Sequence, residues 1–556
     1  MSPEAVVADP ESAARNLLVI APPGCGKTEL LARRAEFLIK TLGPGQRILA
    51  LTFSNKAKAN LSERLVRVLG AERKRRFVTV HNFHGHAAEI IQSHGRALGI
   101  PVDAEHPDKR TQDNAIDPYL EGLFENEAHE MRTLISDQLR AAKQGPYTDE
   151  EVLRRLQAGA DSRAREVEAQ RQQDQTLFYD DLLRHAQRLL RVRAVARLYR
   201  AHYGAVLVDE FQDLSPQQLD IALRSCDTSR TFVGDPLQGI YSWAGARPIQ
   251  IERVLRRIGG EPLGLGVSYR SSPKVLNLLG IISQQLGGQA LTSHEPERWY
   301  EGGVAAGGTF STGADEAVFI RQTAEAILQR DPSSTIGVIC RSGWRRKPID
   351  NEFASSGTPC TRWDLAVDNP QIIDIIGDGI ARLGGAPKLP DLEAELVNAI
   401  GPNDVDTASD IREALGQLEE LAEQAGSLSA ALAQLRVRDD ATEAITPGIH
   451  LLNAHTGKGQ QFDWVFIPGV EKGNVPSFLA KGKAALEEEK RVLLVMISRA
   501  KHGVIISRAE SLISKKGKPY GTTVSPWGNS IRAGLDTDPN GLLEHISHLP
   551  SPESAS

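Results

Sequence analysis

The segment 17–28, LLVIAPPGCGKT, constrains the fold more than any other stretch of this chain. Four apolar residues predict a strand, and Lys27 and Thr28 open a helix whose apolar residues recur at helical spacing. A glycine-containing turn between a strand and a helix directs backbone N–H groups, the helix N-terminus and one ammonium to a single point. This arrangement predicts binding of nucleotide phosphates. Ala21 replaces the first glycine of the general phosphate-loop pattern, so the match is incomplete.

A second apolar run, AVLVDEFQD at 205–213, ends in the adjacent carboxylates Asp209 and Glu210. Asp209 can hold Mg²⁺ together with the hydroxyl of Thr28, and Glu210 can orient and deprotonate an attacking water. Taken alone, this segment could also be an acidic loop after a core strand. Together with the phosphate loop, it predicts an enzyme that hydrolyses a nucleoside triphosphate.

Composition restricts the setting in which the chain works. Its 556 residues suffice for about three to four domains or subdomains. No apolar run approaches the ~20 residues that cross a bilayer, and the first residues do not resemble a signal peptide, so we expect a cytoplasmic protein without a membrane partner. Four scattered cysteines, at positions 25, 226, 340 and 360, are too few for a disulfide framework or a cysteine-based zinc site.

The net charge of −6 means that a nucleic-acid partner would have to be held in a local groove. Basic clusters lie at residues 73–76, 345–347 and 515–518. Each cluster by itself is typical of a solvated face, so charge alone does not identify the partner.

The order of patterns along the chain predicts an α/β protein with two parallel-sheet cores, each interrupted by a mainly helical insertion. The predicted strands are 17–20, 48–51, 77–80, 205–208, 231–233, 336–340, 450–452, 464–467 and 503–506. The predicted segments are 1–97 and 179–262 for the first core, 98–178 for its insertion, 263–360 and 447–535 for the second core, 361–446 for a short helical insertion that includes a helical stretch at 411–435, and 536–556 for a flexible tail. A glycine-rich stretch at 301–309 lies near the start of the second core.

Eight further blocks follow the phosphate loop in a fixed order. They are LTFSNKAKANL (51–61), HNFHGHA (81–87), VDEFQD (208–213), VGDPLQGIYSWAGA (233–246), SYRSS (268–272), ICRS (339–342), NAHTGKGQQFDWVF (453–466) and LEEEKRVLLVMISRAKHGVII (486–506). In this order, over nearly its whole length, the chain resembles the UvrD/Rep/PcrA group of superfamily 1 helicases. The resemblance implies two RecA-like P-loop motor domains whose insertions are accessory subdomains. It also implies an ATP-dependent helicase that moves 3′→5′ along single-stranded DNA and unwinds duplex DNA.

The resemblance assigns residues to ATP and Mg²⁺. Lys27 would pair with the β- and γ-phosphates, Gln238 would contact the γ-phosphate, and Arg270 and Arg499 would reach it from the second motor domain. Such an arginine is typically worth ~10³-fold or more in rate. Tyr269 would stack on adenine. The remaining residues implied at the nucleotide are Ala21, Pro22, Pro23, Gly24, Cys25, Gly26, Thr28, Gly457, Lys458 and Gln461.

The resemblance also implies a groove for DNA. The implied contacts are Phe53, Asn55, His84, Tyr241, Trp243, His455 and Thr456. Aromatic side chains stack on bases at ~1–3 kcal/mol per base without regard to sequence, which suits a motor on any strand. Tyr241 and Trp243 could instead be core residues, and stacking alone does not distinguish DNA from RNA.

Four features depart from the family pattern. Ala5 stands where a glutamine reads the adenine edge, Ala244 where an arginine is usual, and Gln461 where a glutamate faces the ribose; the second insertion is also short. We expect a competent ATPase with modest unwinding. The alternatives are a DNA-sensing ATPase subunit that works with a separate co-encoded nuclease or repair protein, as in antiphage systems, and a DNA-binding scaffold without hydrolysis.

Overall fold

The computed structural model describes residues 16–53, 55–102, 112, 115–122, 125–157, 161–240, 246–363, 376, 379–380, 382–383, 387–400, 415, 418, 445–455, 457–514 and 517–550. Its internal contacts divide the chain into two compact units. The first comprises Met1–Ala21, Gly26–Pro236 and Tyr241–Leu265, and the second comprises Pro22–Cys25, Leu237–Ile240 and Gly266–Ser556.

The first unit is built on a six-stranded parallel sheet. Its strands are β1 (Asn16–Ile20), β2 (Arg47–Thr52), β3 (Val78–Asn82), β4 (Tyr203–Asp209), β5 (Ser229–Gly234) and β6 (Leu263–Gly264), in the order β3-β2-β4-β5-β1-β6. Near-continuous apolar runs form the central strands because both faces of a parallel sheet are covered. Parallel strands end at one edge, so the loops after β1, β4 and β5 emerge side by side.

The first unit also contains helices. They are α1 (Lys27–Ile39), α2 (Asn55–Leu69), α3 (Ala71–Phe77), α4 (Phe83–His94), α5 (Glu125–Lys143), α6 (Asp149–Gln157), α7 (Arg163–Gln173), α8 (Tyr179–Leu189), α9 (Arg193–His202), α10 (Pro216–Ser225) and α11 (Pro248–Gly259). Helices α5, α6 and α7 share a small apolar core of their own that includes Ile135, Leu139, Val152 and Val167. Most of the described residues between 98 and 178 are therefore helical.

The second unit contains a seven-stranded, mostly parallel sheet. The strands of this unit are β7 (Val267–Ser268), β8 (Thr292–Ser293), β9 (Val304–Thr312), β10 (Thr335–Cys340), β11 (Thr361–Arg362), β12 (Gly448–Asn453), β13 (Phe462–Ile467), β14 (Ala500–Ile513) and β15 (Pro519–Gly521). The large sheet runs β11-β12-β10-β13-β14-β15, with β9 also paired to β14, and only the β14–β15 pair is antiparallel. Strands β7 and β8 pair separately.

Seven helices belong to the second unit in its described parts. They are α12 (Pro273–Gln284), α13 (Gly313–Arg330), α14 (Gly343–Ser356), α15 (Leu389–Ile400), α16 (Lys483–Ile497), α17 (Gly528–Gly534) and α18 (Pro539–Ser547). Short 3₁₀ turns in the chain are Gly95–Leu98, Asp117–Tyr119, Phe211–Asp213, Pro236–Gln238, Pro296–Arg298 and Tyr300–Gly302. Across the described residues, no helix combines the length and apolar character that a bilayer crossing requires.

All nine predicted strands are confirmed; their ends differ by at most about three residues, except that β14 continues to Ile513. The chain has the predicted fold, a mixed α/β architecture with two parallel-sheet cores of RecA-like type. Phe77 was assigned to a strand but ends α3, and the glycine-rich stretch 301–309 contains most of the unpredicted β9. The prediction of a flexible tail is wrong for residues 539–547. These residues form α18, because Leu542 and Ile546 are buried against the second core. Nearly all of the predicted helical stretch 411–435 lies outside the described residues.

Candidate functional site

The phosphate-loop residues connect β1 to α1. Gly24 and Gly26 both have φ of +79°, a left-handed conformation that glycine adopts without steric cost. Helix α1 begins directly after Gly26, so Lys27 and Thr28 occupy its first turn, where backbone N–H groups lack intrahelical partners. The Lys27 ammonium lies 3.0 Å from Oε2 of Glu210. The structure therefore brings the predicted phosphate-binding lysine to the predicted catalytic carboxylate.

Strand β4 delivers Asp209 and Glu210 to the carboxyl edge of the first sheet. Asp209 is 5% exposed, and this burial, reinforced by the Glu210 carboxylate, raises the pKa of Asp209 to about 7. The Glu210 backbone has φ of +52°, which is rare outside glycine, and its N–H donates to Oδ1 of Asp209 at 3.0 Å. A strained conformation of this kind is typical of functional turns.

The donor set suits Mg²⁺. Asp209 offers a buried carboxylate and Thr28 a half-buried hydroxyl, and Mg²⁺ is commonly held by one or two such oxygens together with substrate phosphates and water. No group of three or more His, Cys, Asp or Glu side chains suited to a metal occurs among the described residues, so an all-protein cage is not seen there. A cation beside Asp209 would favour its ionised form, opposing the burial that raises its pKa.

Gln212 completes this arrangement and was missed by the sequence analysis. Its side chain is fully buried; Nε2 donates to Oε2 of Glu210 at 2.6 Å, and Oε1 accepts from the backbone N–H of Asp235 at 2.9 Å. A Cβ at Gly234 would lie 2.3 Å from Oε1 of Gln212, so glycine is required there. The available signal was the glutamine that follows the two carboxylates in VDEFQD.

In the second unit, three predicted nucleotide residues lie together. Arg499 is 3% exposed, and its Nη2 donates to Oε1 of Gln238 at 3.5 Å and to Oγ of Ser498 at 2.6 Å. The Lys458 ammonium donates to the backbone carbonyl of Gln238 at 2.8 Å. Nε of Arg499 also donates to the carbonyl of Val495 at 3.0 Å, which fixes the guanidinium at the end of α16.

Arg270 and Tyr269 follow β7 in the same unit. Nη1 of Arg270 donates to the carbonyl of Ser498 at 3.3 Å, which brings the two predicted arginines to neighbouring backbone groups. The Tyr269 ring is 48% exposed and lies 4.4 Å from the ring of His294. Gly24 belongs to the second unit. A Cβ atom added at Gly24 would lie 2.7 Å from Cβ of Arg270.

Three residues of the predicted nucleotide set follow β12. Gly457 is buried, Lys458 is half-buried and Gln461 is exposed. The buried neighbour of Gln461, Gln460, accepts a hydrogen bond on its carbonyl from Nη1 of Arg499 at 3.4 Å. The predicted ribose contact at Gln461 therefore has an exposed side chain next to a residue that holds Arg499.

The predicted DNA contacts are dispersed over both units. Phe53 is half-buried directly after β2, and Asn55 begins α2, although its side chain lies outside the described parts. The His84 ring stacks on Tyr179 with centroids 4.1 Å apart, and His455 is half-buried after β12. Three predicted DNA contacts lie outside the described residues: Tyr241, Trp243 and Thr456. Two of the departures from the family pattern, Ala5 and Ala244, lie outside them as well.

Two protein-family models match this chain. The model of the UvrD/REP helicase N-terminal domain matches residues 4–258, which include Lys27, Asp209 and Glu210. The model of the UvrD-like helicase C-terminal domain matches residues 395–511, which include Lys458 and Arg499.

Several similar proteins are named as DNA helicases. The ATP-dependent DNA helicase UvrD1 of Mycobacterium tuberculosis is 24% identical over 649 residues, covering 89% of this chain and 80% of that protein. DNA helicase II of Escherichia coli is 30% identical over 302 residues, covering 51% and 40% respectively. The ATP-dependent DNA helicase PcrA of Leuconostoc citreum is 25% identical over 363 residues, covering 62% and 47%. With matching family models on both halves and the ordered motifs in place, the chain belongs to the UvrD/Rep family of helicases.

Proposed function

We propose that this protein is an ATP-dependent DNA helicase that hydrolyses ATP to move 3′→5′ along single-stranded DNA and to unwind duplex DNA. The observation that carries the proposal is the 3.0 Å approach of the Lys27 ammonium to the Glu210 carboxylate at the carboxyl edge of the first sheet. Family membership supports ATP and DNA as substrates, and the direction of movement is inferred from the resemblance to the UvrD/Rep/PcrA group. The matched relatives are named as helicases, which gives no support to the nuclease-associated alternative.

Before hydrolysis, the bound nucleotide would have to take Lys27 from Glu210. A phosphate bound at the N-terminus of α1 would compete with Glu210 for the ammonium. Glu210 would then remain positioned by the hydrogen bond from Gln212 and could accept a proton from the attacking water. When bound at Asp209 and Thr28, Mg²⁺ supplies positive charge to the phosphates.

In the second unit, Arg499 and Arg270 are the candidates for stabilising charge on the transferred phosphate. Both guanidinium groups are held by backbone carbonyls, Val495 for Arg499 and Ser498 for Arg270. Such preorganised groups stabilise developing charge without rearranging during the reaction. Gln238 accepts from Arg499 through its side chain and from Lys458 through its backbone, so we assign it the role of reporting on the γ-phosphate.

Residues of each unit are candidates for contacts to the DNA strand. We propose that DNA contacts Phe53, Asn55, His84, Tyr241, Trp243, His455 and Thr456, and that residues 98–178 and 361–446 are accessory subdomains. Stacking on aromatic rings and His84 would not depend on base identity. The second insertion is shorter than that expected for the larger helicases of the group, which supports weak unwinding beside competent ATP hydrolysis.

The test is ATP hydrolysis with and without single-stranded DNA for wild type, Glu210→Gln and Glu261→Gln. Glu261 is a matched control because its side chain is 94% exposed. We expect strong DNA stimulation that Glu210→Gln reduces by about 10²-fold or more and Glu261→Gln leaves unchanged. Duplexes with a 3′ or a 5′ single-stranded tail then test direction. No hydrolysis by wild type in the presence of DNA would contradict the proposal, and unwinding only from 5′ tails would overturn the direction.

A further inference from the structure

Helix α3 carries a dense positive charge that the proposed motor site does not use. Arg73, Lys74, Arg75 and Arg76 stand against one carboxylate, that of Glu72, and together these four cations are named the basic face. The three arginines are exposed and Lys74 is half-buried. Within the described part of the chain, none of the four forms an ion pair.

The basic face is held on a fixed frame by Arg47, the first residue of β2. Nη1 of Arg47 donates to the carbonyl of Arg76 and Nη2 to the carbonyl of Arg75, both at 2.8 Å, and Nε donates to Oγ1 of Thr79 at 2.9 Å. These carbonyls are among the last of α3, which lack intrahelical partners. The helix is therefore tied to the sheet, and Arg47 places a fifth cation beside the four.

The basic face lies at the opposite edge of the first sheet from the nucleotide residues. Helix α3 leads into the amino end of β3, and Arg47 begins β2, whereas Lys27, Asp209 and Glu210 follow carboxyl ends. A five-residue strand such as β3 spans about 17 Å. The basic face is thus a separate surface of the first unit.

We infer that the basic face binds the sugar-phosphate backbone of a second segment of DNA, away from the strand followed by the motor. Guanidinium groups pair with phosphate oxygens through two parallel hydrogen bonds. Protein interfaces have an apolar or aromatic centre, whereas nucleic-acid interfaces are polar and strongly positive. None of the large exposed hydrophobic residues in the described parts belongs to α3, which favours phosphate over an acidic protein. The inference rests on the proposed function for its choice of DNA.

The test compares two charge-matched double variants of the full chain. R73Q/R76Q removes two exposed cations one turn apart from the basic face, and R253Q/R257Q removes two exposed cations one turn apart from α11. Affinity for a blunt duplex and for a long single strand is measured by fluorescence anisotropy at several salt concentrations. For R73Q/R76Q we expect weaker binding and a slope of log K against log salt that is smaller by about 1 to 2, because each phosphate contact contributes about 0.9 on duplex DNA. For R253Q/R257Q we expect the wild-type slope.

The two DNA probes identify the source of the phosphates, since a change on only one probe assigns the surface to that form of DNA. Equal slopes for R73Q/R76Q and wild type on both probes would overturn the inference. Polyglutamate that binds through the basic face, while DNA affinity is unchanged in R73Q/R76Q, would overturn it in favour of an acidic protein. ATP hydrolysis stimulated by a short single-stranded oligonucleotide should be the same in all three proteins. Absent stimulation in wild type contradicts the proposed function, and the salt slopes still decide the inference.

Discussion

Gln212 shows how a single buried amide can position a catalytic carboxylate. Its carboxamide joins Glu210 to the backbone of Asp235, and Gly234 leaves the space that it occupies. Hydrogen bonds to charged groups contribute about 1.5–3 kcal/mol, which corresponds to about 10- to 100-fold in rate. Gln212 therefore acts through Glu210 and need not touch the substrate.

Replacing Gln212 with leucine should lower kcat for ATP by about 10- to 100-fold and change KM less, because Glu210 loses the donor that orients it. Separate measurement of kcat and KM checks this. The double variant Q212L/E210Q should be no slower than E210Q, since both changes disable one unit. Additive losses would show that Gln212 acts elsewhere. Gly234→Ala should also lower kcat, because its Cβ would lie 2.3 Å from Oε1 of Gln212 and 2.9 Å from the backbone N of Phe211. Gly266→Ala should leave kcat unchanged, because no atom lies within 4 Å of a Cβ added there.

At the level of elements, buried charges connect α5 and α7 to α8. The Lys143 ammonium at the end of α5 lies 2.9 Å from Glu168 of α7 and 2.8 Å from Asp181 of α8, and all three side chains are at most 1% exposed. Three helices thus meet at one ion cluster. Arg171 lies 2.7 Å from Glu168 and 3.4 Å from Asp181, and Arg184 lies 2.7 Å from Asp181. Removing Lys143 would therefore leave the two buried carboxylates with fewer cations.

Lys143→Met should lower the free energy of unfolding by about 3 kcal/mol, because Glu168 and Asp181 would stay buried with only Arg171 and Arg184 as cations. Urea unfolding together with hydrogen exchange in α5, α7 and α8 measures the effect. Arg132→Met provides the contrast, since Arg132 and Asp117 form an ion pair with side chains 38% and 52% exposed, and its loss should cost at most about 1 kcal/mol. Similar losses in both variants would contradict a special role for the buried cluster.

The free energy of unfolding should depend on pH through His502, which contacts His545 of α18. Nε2 of His502 on β14 lies 3.3 Å from Nε2 of His545 on α18, and burial lowers the pKa of His502 to about 4. Between pH 6.5 and 4 the unfolded chain binds the proton that the folded chain excludes, so stability falls as pH falls. From pH 7 to 5 His502 should account for about 2 kcal/mol of lost stability.

Urea unfolding at pH 7 and pH 5 checks this effect in wild type, His502→Gln and His548→Gln. Glutamine keeps a donor and an acceptor but does not titrate, so the pH-dependent loss should shrink by about 2 kcal/mol in His502→Gln. His548 is exposed, and its replacement should leave the loss unchanged. An unchanged loss in His502→Gln would place the pH dependence in other groups.

Across the whole molecule, the sequence predicts an element correctly where the residues of that element by themselves determine its structure. The strands before the phosphate loop and before Asp209 are apolar runs that are buried on both faces, so their sequence predicts them directly. Strand β9 was missed because its glycines and alanines read as a loop, although pairing with β14 makes it a strand. Gln212 was missed because its partner Asp235 is 23 residues away, a contact that only the folded sheet creates. Helix α18 was missed because it is short and depends on the tertiary burial of Leu542 and Ile546.

The net charge of −6 leads to a final prediction about coupling between DNA and ATP hydrolysis. A negative molecule can hold DNA only through local cations, and neutralising phosphates releases counterions, so affinity falls steeply with salt. Hydrolysis at the phosphate loop depends on groups such as Lys27 and Asp209, which are largely buried and less screened. Raising salt from 50 to 200 mM should therefore increase the DNA concentration for half-maximal stimulation by at least about tenfold. The rate at saturating DNA should change little. A titration of ATPase activity with DNA at both salts measures the two quantities, and a large fall in the saturated rate would place the salt-sensitive step in catalysis.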